Sequence, residues 1–498
     1  MKTKSQIDAR DMKELELRKR QRDRAPLRFG IVFTLIALFF ASAVDEIASA
    51  INVQLQSSVV TEFFANPLNL PFNEAMSIYS TITMFSYALL ALVPFYKALA
   101  DKLGRKTFLV LNTVGMAIGM FLCLWSPHVV VYFIGFALVT FFVQHDMQIV
   151  YLYEIVPKEK RASIYGLVKG LSTLAIVLLP VLRNTFMGND STLWRMVYLI
   201  PAIVALAVSA LTFFLTRESR TFLDNRITYL ESPYEERHPA KLTKEEKQAQ
   251  KESKAQEKTQ KSGVFHAFKH LFKNKQLFWV AIASTVFAVG STTISGFSES
   301  IMTDFGMETE SVTQALFIYP FIYAVLIIVM GFVGDKIGRK LNVTICGSLA
   351  VVGFIGFNVS AFLGANPYVV GLFYGLYLGC WWITLDYCSM MVAESSPTHN
   401  RGSMLGAVGL LTMIGSGIGQ AVPIVAALLF KQVGFGYMTI SMPFVIAGIV
   451  IVMLKVKETK GVDLDKVVYE DEVAAEQSVE NVDDTTVTNV SVDDDSEK

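Results

Sequence analysis

Residues 334–340 read Gly-Asp-Lys-Ile-Gly-Arg-Lys, and residues 100–106 read Ala-Asp-Lys-Leu-Gly-Arg-Lys, each directly after a long apolar segment. A second pair of related stretches follows in the same order, Glu-Ile-Val-Pro-Lys-Glu-Lys-Arg at 154–161 and Glu-Ser-Ser-Pro-Thr-His-Asn-Arg at 394–401. Two motifs that recur in the same order indicate an internal duplication. Any fold predicted for one half of the chain must therefore apply to the other.

Long apolar segments separate these motifs, and the chain is 52% hydrophobic. A helix that rises about 1.5 Å per residue needs about twenty mostly apolar residues to cross a hydrocarbon core about 30 Å thick. Because backbone polar groups cannot pair with water there, such segments must be helical. We therefore predict an all-α membrane protein with twelve transmembrane helices in two pseudo-symmetric six-helix bundles. The predicted spans are 29–51, 75–97, 107–125, 130–153, 163–184, 195–216, 276–298, 312–333, 342–363, 368–391, 403–428 and 436–456.

Basic residues concentrate in alternate loops, and such residues are retained on the cytoplasmic side of a membrane. The loops without any Lys or Arg are 52–74, 126–129, 184–194, 300–310 and 364–367. We therefore predict a multi-pass protein of the cell membrane with both termini in the cytoplasm. The predicted order of segments is an N-terminal tail (1–28), the first bundle (29–216), a central linker (217–275), the second bundle (276–456) and a C-terminal tail (457–498). The N-terminal tail is basic and is predicted not to be a cleaved signal peptide. The linker is predicted to contain a charged helix at 241–261, and the C-terminal tail is acidic and predicted to be disordered.

Charge and cysteine content argue against several classes of function. The 44 basic side chains equal the 44 acidic ones, so the balance gives no case for nucleic-acid binding. Cys123, Cys346, Cys380 and Cys388 lie in apolar segments without ligand spacing, which favours neither disulfides nor a metal site. We expect no cofactor and no ATP site, because the sequence lacks Gly-x-x-x-x-Gly-Lys-Ser/Thr. No catalytic triad or pair of catalytic carboxylates is recognisable, so we do not expect an enzyme.

With these motifs the chain resembles the major facilitator superfamily, whose Gly-x-x-x-Asp-x-x-Gly-Arg-Lys-like loop joins the second and third helices and again the eighth and ninth. The resemblance covers roughly residues 28–461. The paired Glu-x-x-Pro-x-x-x-Arg motifs and Lys-Glu-Thr-Lys-Gly at 457–461 resemble the branch of sugar, organic-ion and metabolite transporters. Lys97 stands where the family's first loop begins with glycine, whereas Gly331 keeps that glycine in the second copy.

The resemblance implies that the loop motifs latch the two halves together on the cytoplasmic side. The spacing of four residues between each aspartate and arginine predicts that the carboxylate caps a helix N-terminus while the guanidinium pairs with another acid. The glycines allow the tight turn. The predicted gating residues are Asp101, Gly104, Arg105, Lys106, Glu154, Arg161, Asp335, Gly338, Arg339, Lys340, Glu394 and Arg401.

Ionisable residues within the predicted spans are candidates for function, because a charge at membrane depth is costly unless it is paired or wetted. The candidates for substrate binding or proton coupling are Asp45, Glu46, His145, Asp146, Lys169, Arg183 and Asp386. Two interpretations remain open. Arg183 could form a structural ion pair with Asp45 or Glu46, and Lys169 with Asp146. Alternatively, one carboxylate of the set binds and releases a proton, with His145 able to titrate near neutral pH.

Aromatic residues in the second, eighth and tenth predicted spans could line a central cavity and stack on a substrate, although helix packing explains them equally well. They are Tyr79, Tyr319, Tyr323, Tyr374, Tyr377, Trp381 and Trp382.

We predict a secondary transporter whose two bundles rock around a site at the membrane midplane. Proton symport of a small polar or charged organic solute, such as a sugar or another metabolite, is our first prediction. Efflux of a drug or metabolite by antiport is an alternative, and a transporter-like receptor or sensor without net flux is an alternative of another class. The expected partners are a small-molecule substrate, protons and the lipid bilayer, and we expect a monomer.

Overall fold

The computed structural model describes residues 4–23, 30–93, 96, 103–143, 151, 161–188, 190–234, 264–396, 401–430 and 433–460, and within them the regular elements are helices. Apart from the single turn Asn66–Leu68, the α-helices of the first half and its flanks are α1 (Lys4–Asp23), α2 (Gly30–Gln54), α3 (Gln56–Val60), α4 (Phe72–Ala88), α5 (Arg105–Leu124), α6 (Val129–Val143), α7 (Arg161–Thr173), α8 (Leu178–Met187), α9 (Leu199–Leu215) and α10 (Arg220–Glu231). Those of the second half are α11 (Val264–Lys273), α12 (Lys275–Ser295), α13 (Ser298–Asp304), α14 (Thr309–Ile337), α15 (Arg339–Phe362), α16 (Pro367–Glu394), α17 (Arg401–Gln420), α18 (Val422–Leu429) and α19 (Val433–Lys455).

Ten helical segments in the described part of the chain are long and apolar enough to cross a membrane. They are Val32–Gln54, Arg105–Leu124, Gly166–Met187, Ser191–Leu215, Lys275–Ser295, Thr309–Gly334, Arg339–Phe362, Pro367–Glu394, Met404–Leu429 and Gly434–Lys455. The shorter helices α4 and α6, of 17 and 15 residues, lie where the second and fourth spans are predicted. With them the twelve predicted spans are accounted for, and we number them span 1 to span 12 in chain order.

Spans 5 and 11, which are equivalent in the two halves, are both interrupted. In span 5, α7 passes through the 3₁₀ turn Leu174–Val177 into α8. In span 11, α17 ends at Gln420 and α18 begins at Val422. Pro180 and Pro423 lie near the start of the second segments, and proline removes a backbone donor from a helix. The duplication therefore extends to the irregularities of the helices.

The two halves meet along two faces. Span 5 packs against α14, and α4 packs against α17 and α18. Since span 2 is equivalent to span 8 and span 5 to span 11, these two faces are related by the internal pseudo-twofold symmetry. A third contact joins α13 to α2 and α3 at one end of the bundle. We call this the opposite end, and the end with Gly104 and Gly338 the motif end.

Two segments predicted as loops are partly helical, and both lie at the opposite end. After α2 the chain forms α3 and the π-helix Thr61–Ala65, although 52–74 was predicted to be a loop. Span 7 ends at Ser295 rather than 298, and after a break at Gly296 and Phe297 the chain forms α13 within the predicted loop 300–310. These short helices bring polar side chains of both halves into contact.

The predicted N-terminal tail contains the helix α1, which docks on α10. Both oxygens of Glu14 accept hydrogen bonds from the Arg226 guanidinium, each at 3.0 Å. The Lys19 ammonium lies 2.6 Å from a carboxylate oxygen of Glu231. A helix that is polar all round has no apolar stripe to bury, so such pairs must hold it in place. The predicted charged helix at 241–261 lies outside the described residues.

We predict that Glu14→Ala releases α1 from α10. Burial raises the pKa of Glu14, but the hydrogen bonds and charge of Arg226 outweigh this and lower it, so the carboxylate is ionised and paired at neutral pH. Tryptic cleavage after Arg18 should become about three- to tenfold faster, as expected for loss of one bidentate pair. Limited proteolysis of the purified protein measures this. Glu16→Ala is the matched control, because Glu16 pairs only with Arg20 of the same helix in an exposed position. Equal cleavage rates in the two variants would contradict the prediction.

Candidate functional site

At the motif end, a glycine and a glutamate meet at the start of the third helix of each half. Gly104 and Gly338 have φ of 101° and 95° and directly precede α5 and α15. Glu218 accepts hydrogen bonds from the backbone N–H groups of Arg105 (2.7 Å) and Lys106 (3.2 Å). A Cβ on Gly104 would overlap this carboxylate. The turn is therefore closed by a carboxylate on the positive end of a helix dipole.

The second half repeats this arrangement with Glu458. Its carboxylate accepts hydrogen bonds from the N–H groups of Arg339 (2.8 Å) and Lys340 (3.0 Å). A Cβ on Gly338 would lie 2.6 Å from Glu458 Oε2. Burial raises the pKa of Glu218. Burial also raises the pKa of Glu458, but hydrogen bonds from four backbone N–H groups together outweigh burial and lower this pKa.

These contacts were not predicted from the sequence. The described carboxylates at the N-termini of α5 and α15 are those of Glu218 and Glu458, and the predicted capping by Asp101 and Asp335 stays a prediction. The sequence carries a signal that was not used: a Glu follows span 6 and span 12 alike, in Arg-Glu-Ser at 217–219 and Lys-Glu-Thr at 457–459. Asp101 and Glu154 lie outside the described residues, and the side chains of Arg161, Asp335 and Arg401 are not described.

Two of the predicted gating arginines have described contacts within their own half. Arg339 Nε donates to Glu394 at 3.1 Å, and Thr459 Oγ1 donates to the other oxygen of Glu394 at 2.5 Å. The Arg105 guanidinium lies 5.6 Å from the centre of the Phe222 ring in α10. Both sets of contacts lie within one half of the molecule. Their role in gating stays a prediction.

We predict that Gly338→Ala destabilises the protein by about 1–3 kcal/mol, because its backbone conformation is nearly restricted to glycine and the Cβ would displace Glu458. Thermal unfolding of the purified variant measures the effect. Gly331→Ala is the matched control, since a Cβ there meets nothing within 4 Å. If Gly331→Ala lowered the melting temperature as much as Gly338→Ala, the prediction would be wrong.

Within the first half, Lys169 forms an ion pair with Glu46. The Glu46 side chain is 7% exposed, and the adjacent Asp45 is equally buried. The sequence allowed a pair of Lys169 with Asp146, from a comparison of heights along the helices, and that pair stays a prediction. That comparison placed Glu46 in the outer half of its span and neglected the reach of the long lysine side chain. His145 and Asp146 lie outside the described residues.

The ion pair of Arg183 also differs from the prediction, which assigned it Asp45 or Glu46. Arg183 Nη2 lies 3.4 Å from Oε1 of Glu299 in α13, and both side chains are 1% exposed. Nη1 donates to the Gln54 carbonyl, and Nε donates to Thr313 at 3.3 Å. Glu299 was overlooked because it lies just after the predicted end of span 7 at residue 298.

Hydrogen-bonding and aromatic side chains lie near this pair, between the two halves. Gln54 Nε2 donates to the Tyr319 hydroxyl at 3.2 Å, and the rings of Tyr319 and Tyr374 are 4.6 Å apart. Tyr323 is buried on the same helix as Tyr319. At the other contact between the halves, where α4 meets α17, Thr83 Oγ1 donates a hydrogen bond to Gln420 Oε1 at 3.4 Å. These side chains are uncharged.

The remaining aromatic candidates fall into two groups. Tyr79 packs against Phe133 inside the first half, and the Tyr377 hydroxyl donates to the Ser291 carbonyl at 3.0 Å inside the second. Trp381 and Trp382 of α16 lie in contact, with ring centres 4.7 Å apart. The Nε1–H group of Trp381 is buried and has no hydrogen-bond partner in the described protein, so it can bind a ligand oxygen.

Asp386 follows Trp382 by one helical turn, and both side chains are exposed. Asp386 lies eight residues before Glu394, which places it about 12 Å from the motif end.

Comparison with known proteins assigns the fold and these features to one class, the Major Facilitator Superfamily, whose family model matches residues 34–420. The chain belongs to this superfamily and is a membrane transporter rather than an enzyme. It is similar to the glucose transporter GlcP of Staphylococcus epidermidis, with 24% identity over 392 residues, 75% of this chain and 83% of that protein.

Solved structures show the same fold. A crystal structure of a D-xylose–proton symporter superposes with a TM-score of 0.65 at 17% sequence identity, covering 86% of this chain and 99% of that one. A partially occluded, inward-open structure of the xylose transporter XylE from E. coli gives a TM-score of 0.61 at 16% identity, with the same coverage. The resemblance to the sugar and metabolite branch, inferred from the loop motifs, is confirmed.

Proposed function

We propose that this protein is a proton-coupled sugar symporter that works by alternating access. The observation that carries the proposal is a group of neutral hydrogen-bonding and aromatic side chains between the halves, together with a buried carboxylate, Glu46, that pairs with Lys169 inside the first half. The similarity to GlcP and to the D-xylose–proton symporter supports this assignment.

A sugar suits the neutral groups between the halves. Its hydroxyls both donate and accept hydrogen bonds, and its C–H faces stack on aromatic rings. The free Trp381 N–H and the buried, unpaired Oε1 of Gln54 offer one donor and one acceptor. The rings of Tyr319, Tyr374 and Trp381 are the candidates for stacking.

A proton suits the carboxylates of span 1. Asp45 and Glu46 carry two negative charges when ionised, and Lys169 supplies one positive charge to the pair with Glu46. One added proton makes this group of three neutral. Neutrality lowers the cost of enclosing the group when both ends of the bundle are closed. We therefore place the coupled proton on Asp45 or Glu46.

The orientation of the protein in the membrane is inferred from the charges of its loops. We propose that the motif end faces the cytoplasm, because its loops carry the basic residues. The bundle boundaries at 29–216 and 276–456 and the monomeric state remain part of this proposal.

Uptake by proteoliposomes tests the function directly. With D-glucose and D-xylose as substrates, we expect accumulation driven by an imposed pH gradient. Asp45→Asn and Glu46→Gln should reduce gradient-driven accumulation to the equilibrium level while sugar binding persists. Glu310→Gln, an exposed carboxylate at the start of α14, is the control and should accumulate sugar as the parent does. Unchanged proton dependence in both span 1 variants would remove these carboxylates from the mechanism.

Other outcomes of the same experiment favour the alternatives. Sugar binding without flux under every imposed gradient would favour a receptor or sensor. Proton-driven export of an organic cation in place of sugar uptake would favour an antiporter.

We predict that Trp381→Phe weakens sugar binding about three- to tenfold, because it removes one neutral hydrogen-bond donor while keeping an aromatic ring. Trp382→Phe is the matched control on the neighbouring residue, whose side chain is 39% exposed. Equilibrium binding of labelled sugar to the purified protein compares the two. Equal affinities for the parent and Trp381→Phe would exclude a hydrogen bond from Trp381 to the sugar.

A further inference from the structure

We propose that Arg183 and Glu299 form the lock that holds the two halves together at the opposite end, and that this end opens only when the pair separates. The inference rests on the proposed alternating access, but not on the identity of the solute or on coupling to protons. It adds a named gate to the end of the bundle where the sequence predicted none.

The contacts of Glu299 cross from one half to the other. Glu299 belongs to the second half, and the described partners of its carboxylate all belong to the first. Its carboxylate accepts hydrogen bonds from the backbone N–H of Ser57 at 2.6 Å and from the Ser57 hydroxyl, and it pairs with Arg183. A carboxylate with a role only in the stability of its own half would be expected to use donors of that half. Every one of these bonds is lost when the halves move apart.

Arg183 has a mixed set of partners. It binds Glu299 and Thr313 of the second half, and the Gln54 carbonyl of the first. The N–H groups of the guanidinium therefore donate hydrogen bonds to both halves, at the contact between span 5 and α14. The flanking bond from Ser300 Oγ to Gln56 Oε1, 2.7 Å long, also joins the two halves. The opposite end is closed by a connected group of polar contacts.

Because Arg183 and Glu299 are both buried, the intact pair can form and separate reversibly. The desolvation of two buried charges nearly cancels their attraction, so an intact pair adds little net stability. Separation rehydrates both charges together. Removal of one partner leaves the other charge buried without compensation, which strongly disfavours the closed arrangement. The pair thus permits an equilibrium between closed and open, and the loss of one partner displaces it.

Gln54 connects the lock to the proposed sugar site. Its carbonyl accepts from Arg183, while its side-chain Nε2 donates to the Tyr319 hydroxyl. A sugar that engages Tyr319 or the unpaired Oε1 of Gln54 therefore acts on the residue that also holds Arg183. The lock at the opposite end and the proposed sugar site therefore share one residue, Gln54, through its backbone and its side chain respectively.

The test measures opening without any solute. Ser300→Cys introduces a reporter at a position that is 2% exposed in the closed end. Labelling by a polar maleimide is followed in detergent without sugar or gradient, against the parent chain, whose four native cysteines are all buried. We expect Glu299→Gln to speed labelling of Cys at 300 at least about tenfold, equivalent to a shift of about 1.4 kcal/mol in the opening equilibrium.

Glu62→Gln is the matched control. Glu62 binds Arg195 through two hydrogen bonds of 2.8 and 2.7 Å at the same end, but both residues belong to the first half. Its loss should change the labelling rate less than about twofold. A Glu299→Gln rate equal to that of the parent would overturn the proposal. So would an equal acceleration by Glu62→Gln, because it would indicate general loosening of this end.

Ser57→Ala keeps the test decisive if Glu299→Gln does not fold. It removes one donor to Glu299 without leaving a charge unpaired, and we expect labelling about two- to fivefold faster. An unchanged rate in Ser57→Ala, in a monodisperse protein, would then overturn the proposal. Because labelling needs no solute, a lack of sugar uptake in the proteoliposomes would refute the proposed function while leaving the lock supported.

Discussion

Hydrocarbon tolerates neither an unpaired charge nor an open backbone hydrogen bond, and this constraint places most polar contacts of the molecule. Within the membrane, Glu46 and Lys169 neutralise each other inside the first half, and Arg183 and Glu299 do so between the halves. The described ion pairs at membrane depth therefore lie both inside one half and between the halves.

The two ends of the bundle use their polar contacts differently. At the motif end, the described contacts of Glu218, Glu394 and Glu458 stay within one half. At the opposite end, Glu299 and Gln54 bind across the interface. The first kind of contact makes each half rigid, and the second kind sets how the halves are arranged. Two rigid bodies joined through a separable set of bonds are what a rocking mechanism requires.

The sequence was sufficient to predict the features that depend on periodicity and repetition. The twelve spans follow from apolar length, and the two halves follow from the repeated loop motifs. Contacts between side chains distant in the sequence were not predictable in the same way. Glu299 was missed because the break at Gly296 starts a new helix, and nothing local marks that helix as buried. The contact of Lys169 with Glu46 was not anticipated, because helix height is a poor guide for a long, flexible side chain.

The polar helix α1, which lacks an apolar face, was not predicted from the sequence. α1 has almost no hydrophobic periodicity, so only its docking partner explains its structure. Glu218 and Glu458 had a recognisable signal in the repeated Glu after spans 6 and 12, but their bonds to α5 and α15 required the fold to be known. The internal repeat therefore relates Glu218 to Glu458 as well as the loop motifs of the two halves.

The docking of α1 on α10 has a consequence for biosynthesis. Glu14 and Arg226 are 212 residues apart, and all six spans of the first bundle lie between them. The beginning of the chain emerges from the ribosome first, yet its partner helix is not made until those spans have been synthesised. α1 can therefore dock on α10 only after the first bundle has been synthesised. Until then α1 stays accessible to chaperones and proteases.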